Sequence, residues 1–273
     1  MLGYDFMQRA LVAALVVGLI APMIGVFLVQ RRLALLGDGM GHVALTGVGL
    51  AFLVGWAPVP TALLVAALGA VVLEVIRLRS RSAGDVALAL VFYAGIAGGV
   101  LLTSLSANRG SSALNQYLFG SLSTISMADL IGLLVAAAIV LAILALTARQ
   151  LFVLSLDPDL AHVQGINTTR LGMLLTVLAS VTVVIGMRTV GLLLISAIMI
   201  VPIAAAQQLT GSFRATAITG ITIGVLACVI GLSTSFAVDV PPGPTIVLLA
   251  LAGFAACAVW AQAAVLRNRR RTR

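Results

Sequence analysis

Between its charged residues the chain is a succession of uncharged, largely apolar runs of bilayer length. They are Ala10–Gln30, Gly39–Leu73, Val86–Asn108, Leu130–Ala148, Leu171–Met187, Thr189–Phe213, Ala215–Val238 and Val240–Leu266. A helix needs about 20 apolar residues to cross a hydrocarbon core of about 30 Å. Lipid offers no partner to an open backbone, so such runs become helices. The Gly39–Leu73 run is long enough for two crossings and breaks naturally at Gly55-Trp56-Ala57-Pro58-Val59-Pro60. The expectation is an all-α, polytopic membrane bundle of nine helices, one transmembrane domain over residues 1–273. Eight spans result if Leu171–Met187 and Thr189–Phe213, separated by Arg188 alone, form one broken or re-entrant crossing. Charged residues make up 9% of the chain, against about 25% in soluble domains, too few to cover a water-facing surface. The first run is too long, and its double arginine on the wrong side, for a signal peptide.

The 16 basic residues are all arginine. Without a lysine the chain has no GxxxxGK[ST] loop, so ATP-driven work has to come from a partner. With the N-terminus outside, thirteen arginines (Arg31, Arg32, Arg77, Arg79, Arg81, Arg149, Arg170, Arg214, Arg267, Arg269, Arg270, Arg271 and Arg273) fall on the cytoplasmic side and Arg9, Arg109 and Arg188 outside. The positive-inside bias selects this topology, with a cytoplasmic C-terminus. The net charge of +8 does not point to nucleic acid, because five of these arginines crowd the last seven residues as a membrane anchor. Cys228 and Cys257 lie inside apolar runs without paired spacing and read as packing residues. The glycine pairs Gly95/Gly99 and Gly220/Gly224 have the GxxxG spacing of close helix packing within one bundle.

Ionisable residues within a bilayer are costly and are functional candidates by default. Asp38 and His42 are separated by four residues, which puts both on one helix face. A carboxylate oxygen and an imidazole nitrogen there form half a site for a divalent cation. Two copies across a two-fold axis supply four ligands of the kind that Zn²⁺ or Mn²⁺ takes. On a helix running unbroken from Arg32, His42 lies about 15 Å further on, near mid-bilayer. Two other readings stand beside this one: Asp38 as a helix cap with His42 bonded to a carbonyl, and the pair as a proton relay.

The segment 149–170 is the longest internal loop and is expected to be cytoplasmic. Within it Asp157-Pro158 opens a short helix that Gly165 closes. The spacing leaves two roles open, inert packing or a handle for a soluble partner, and His162 reads as a surface histidine. Residues Gly110–Met127 are expected as an external loop with a short interfacial helix, Tyr117 and Phe119 sitting at headgroup level. Glu74 and Arg77 are spaced as an interfacial ion pair, and Asp85 complements a helix start. Asp239 precedes a rigid turn at Pro241-Pro242-Gly243-Pro244, while Pro22 and Pro202 lie inside spans.

Taken in order, Arg31-Arg32 with Gly37-Asp38, His42 and Gly47, then Tyr117-Leu118-Phe119-Gly120-Ser121, Asp157 through Gly165, Val190-Gly191 to Pro202, and Asp239-Val240-Pro241-Pro242-Gly243-Pro244 resemble the bacterial zinc/manganese-type metal ABC transporter permease family. The resemblance runs from about Val29 to Val247. It implies a homodimeric permease in the bacterial plasma membrane that carries no permanent cofactor and transports a divalent metal, zinc foremost. It further implies a separate ATP-binding subunit on the cytoplasmic face and an extracytoplasmic metal-binding protein. Asp38 and His42 match the residues that line the translocation path. The loop with Asp157, Pro158, Asp159, Leu160, Ala161 and Gly165 matches the ATPase dock. Where the family tends to have Pro-Ala-Ala-Thr-Ala, this chain has Pro202-Ile203-Ala204-Ala205-Ala206, so that threonine's hydroxyl is missing. The competing function is a self-sufficient secondary carrier in which Asp38 and His42 relay protons. An intramembrane metalloenzyme finds no HExxH motif.

Overall fold

A computed structural model describes residues 4–79, 84–106, 117–120 and 125–271. Nine helices among these residues are long and apolar enough to cross a membrane. In chain order they are α1 (Asp5–Gln30), α2 (Leu36–Val54), α3 (Pro58–Arg79), α4 (Gly84–Leu105), α5 (Met127–Leu156), α7 (Thr168–Thr189), α8 (Leu192–Leu209), α9 (Phe213–Val238) and α10 (Pro242–Arg271), with the short α6 (Pro158–Val163) after α5. No strand occurs among the described residues. The expected Gly110–Met127 loop falls largely outside them.

The uncertain pair of spans proves to be two helices. α7 and α8 are joined by Val190 and Gly191 alone, and Gly191 has φ 89° and ψ 152°, a backbone state essentially closed to other residues. The expected break after α2 is likewise present, with Gly55 left-handed at the helix end and α3 starting at Pro58.

Two groups of helices build the bundle. α2 lies against α3, α4 and α7, while α1, α8, α9 and α10 pack on one another, with α5 against α7 and α1. Small residues set the distances in both groups. A Cβ at Gly95 would stand 2.6 Å from the backbone nitrogen of Val43, and one at Gly99 3.3 Å from that of Thr46, so one GxxxG pair seats α4 on α2. At the other pair, a Cβ at Gly224 would stand 2.7 Å from Pro22 Cγ and one at Gly220 2.3 Å from the Ile203 side chain. α9 thus closes over both intrahelical prolines.

The chain between α1 and α2 is not one continuous helix. α1 stops at Gln30, Arg32 takes a left-handed φ of 59°, and α2 begins only at Leu36. The distance expected from an unbroken helix therefore shrinks: His42 lies six residues into α2, about 9 Å along its axis.

Candidate functional site

Asp38 sits in the first turn of α2 and His42 one turn later. Their side chains face each other, with Asp38 Oδ1 3.9 Å from His42 Nε2, and they remain 32% and 17% exposed. That separation is too long for a hydrogen bond. It is within the span of about 4.2 Å that two ligands of one ion, each about 2.1 Å from it, can reach. The capping alternative is not realised in the bonding. The residue capping α2 is Leu35, with no side-chain cap bond, and among the described residues neither ring nitrogen of His42 makes a hydrogen bond. No described group of three or more His, Cys, Asp or Glu is placed to hold an ion, so one chain offers two protein ligands here.

α4 supports the pair from behind. Thr46, one turn beyond His42, donates from Oγ1 to the Gly95 carbonyl at 2.8 Å. The His42 ring stands edge-on to Phe92, with centroids 4.9 Å apart and planes at 78°. Gly39 keeps α2 free of a side chain where Leu88 and Phe92 approach.

The segment 149–170 divides differently from the sequence expectation. Helix α5 extends through Arg149 to Leu156, leaving only Asp157 and residues 164–167 outside helices. Asp157 caps α6, its Oδ1 accepting from the backbone N–H of Asp159 at 2.9 Å and of Leu160 at 3.1 Å. Gly165, at φ 75°, ends it: its N–H donates to the His162 carbonyl and that of Ile166 to the Ala161 carbonyl. Those two bonds make a Schellman closure. Pro158 occupies the first turn. Ala161 is fully buried and anchors α6 to the bundle, whereas Leu160 and Val163 are 49% and 83% exposed. Val163 is absent from the sequence-based docking set, although it carries the largest exposed apolar surface of this helix.

Three polar features go beyond the sequence reading. Glu74 pairs with Arg77 at 2.9 Å as its spacing predicts, and it is buried within the protein, at 4% exposure. The turn after α1 brings Arg31 close: a Cβ at Gly172 of α7 would meet Glu74 Oε1 at 2.5 Å and Arg31 Nη1 at 3.4 Å. Burial pushes the Arg31 guanidinium below the usual arginine range, with Glu74 opposing the fall and Arg77 adding to it. Second, Asp129 of α5 pairs with Arg188 of α7 at 2.8 Å. They flank a cavity of about 410 Å³ that Val59 and Leu63 of α3 also line. Nothing in the sequence marks this pair, whose members are far apart along the chain. Third, Tyr117 is buried within the protein, its ring 6.5 Å from that of Phe52. That burial raises its phenol, an effect Arg188 opposes and Asp129 reinforces. Phe119 remains 47% exposed.

A family model described as the ABC 3 transport family matches residues 3–261. The manganese transport system membrane protein MntC of Listeria monocytogenes is 31% identical over 253 residues, 92% of this chain and 89% of that protein. The chelated iron transport system membrane protein YfeD of Yersinia pestis is 30% identical over 268 residues, 98% of this chain and 90% of that protein. Among solved structures, PsaBC from Streptococcus pneumoniae, determined in complex with Fab, superposes with a TM-score of 0.82 at 30% identity, covering 93% of this chain and 91% of that one.

Proposed function

The chain belongs to the ABC 3 transport family, and from that premise we propose that it is the multi-pass permease of an importer that moves a divalent metal ion across the bacterial plasma membrane. The permease works as a homodimer, with ATP hydrolysed by a separate cytoplasmic subunit and metal delivered by an extracytoplasmic binding protein. The arginine-rich ends of the helices face the cytoplasm, as the charge bias favours. The observation that carries the reading is the Asp38–His42 pair, an oxygen and a nitrogen 3.9 Å apart on one half-buried face of α2.

Two ligands per chain hold an ion poorly, and a two-fold arrangement of chains brings two carboxylates and two imidazoles to one point. Such a site binds well enough to admit an ion and loosely enough to release it, which transport requires. ATP-driven closure of the ATPase subunits pushes on α6 through Asp157, Pro158, Asp159, Leu160 and Gly165. Ala161 fixes the position of α6 on the bundle, and the two permease copies rock around the shared site. The sequence reading favours Zn²⁺, the names of the relatives favour manganese and iron, and the donor set accepts any of these.

Uptake of radioactive Zn²⁺ and Mn²⁺ by cells expressing the whole transporter tests the proposal. Asp38→Ala abolishes uptake of both ions, while the ATPase still co-purifies with the chain. Normal uptake by this variant overturns the pathway assignment. Uptake that persists without any ATPase gene supports the secondary carrier instead.

A further inference from the structure

Histidines that bind metal ions are almost always oriented by a hydrogen bond from the second ring nitrogen to a carboxylate, a carbonyl or water. Among the described residues no carboxylate or carbonyl accepts a hydrogen bond from His42. What meets its ring is an aromatic one: Phe92 of α4, 4.9 Å away and nearly perpendicular. Phe92 is in turn braced by Tyr93, at 5.6 Å and 81°. Two glycines create the space for this contact. Gly39, on the turn between Asp38 and His42, passes beside the Phe92 Cβ, and Gly95 lets α4 touch the backbone of His42 itself.

We infer that Phe92 is the positioning residue for His42, setting the direction of Nε2 toward Asp38 by ring packing where a resident metal site would use a hydrogen bond. This rests on the reading of Asp38 and His42 as ion ligands. Ring packing holds the imidazole in one orientation without raising its basicity, as a carboxylate or carbonyl partner would. The ligand is aimed but stays a weak one, which suits an ion that has to leave again. Phe92 touches no ion and acts only through His42.

The test uses the whole transporter in cells, with Mn²⁺ and Zn²⁺ uptake measured against concentration. Phe92→Leu keeps the apolar volume between α2 and α4 and removes the ring. It raises KM by about tenfold or more, the range for lost support of a metal ligand, while the maximal rate stays within a factor of about two of the wild type. Phe92→Tyr keeps the ring and restores KM. If Phe92→Leu does not assemble with the ATPase, Phe92→Met carries the same comparison. An unchanged KM in the ringless variant, or a tyrosine variant as impaired as the leucine one, overturns the inference. Asp38→Ala and His42→Ala run in parallel. Should both transport normally, the ligand reading falls; should both be inactive while Phe92→Leu transports normally, only the role of Phe92 falls.

Discussion

A methyl group at position 172 has no room, because its carbon would lie 2.5 Å from a carboxylate oxygen of Glu74. Gly172→Ala therefore displaces a buried acid from between two arginines and lowers stability by about 1–3 kcal/mol. The check is the apparent melting temperature of the detergent-purified protein. Glu74→Gln removes the carboxylate that faces Arg31 and Arg77, both of which already have a buried nitrogen without a partner among the described residues. It costs more than the glycine change, about 3–5 kcal/mol for a broken buried pair, and restoring the acid as Asp recovers part of the loss. Sequence spacing revealed Glu74 with Arg77 and Asp38 with His42, since neighbours one helical turn apart are visible along a single helix. It could not reveal Arg31 beside Glu74, Asp129 beside Arg188 or Phe92 beside His42. Each joins two elements far apart in the chain, and in a membrane the apolar pattern that tells an inner from an outer face is nearly uniform.

Helix boundaries were far more legible, because charges and prolines interrupt apolar runs sharply. The exceptions have local causes. The turn at Arg31–Leu35 carries a left-handed arginine where the residues suggested continuity, and α5 runs on past Arg149 because nothing before Asp157 stops it. The two-residue joint between α7 and α8 depends on its glycine. Gly191→Ala introduces a disfavoured backbone state costing about 1–3 kcal/mol, plus a clash with Phe119 and Gly120. The expected outcome is a lower melting temperature and reduced expression in the membrane. For α6 the exposed pair matters most. Leu160→Glu with Val163→Glu places charge on its outward surface and removes the co-purifying ATPase without changing the melting temperature of the permease. Loss of the ATPase from an Ala161→Arg variant says less, because Ala161 is buried and its replacement unseats the helix.

At the scale of the assembly, the proposed homodimer with two ligands per chain predicts a stoichiometry: one ion for every two copies. Native mass spectrometry of the transporter with Mn²⁺ or Zn²⁺ is expected to show one bound ion per permease pair. A pair in which one copy carries Asp38→Ala is expected to lose it. Nine crossings and their succession could be read from the chain, because span length and charge bias act on each segment separately. The way the spans gather into two groups required the structure, since it is set by glycines whose partners lie on other helices.

One such set lies at the end of the bundle away from most of the arginines. Gly120, Gly191 and Gly243 converge there so tightly that a Cβ on Gly120 would touch Val190 and Gly191, one on Gly191 would touch Phe119 and Gly120, and one on Gly243 would approach the carbonyls of Phe119 and Val190. Three connections far apart in the chain are thereby tied into a single knot of bare backbone. A side chain at Gly120 or at Gly191 would push the other connection's backbone aside, so neither position can change without the other giving way.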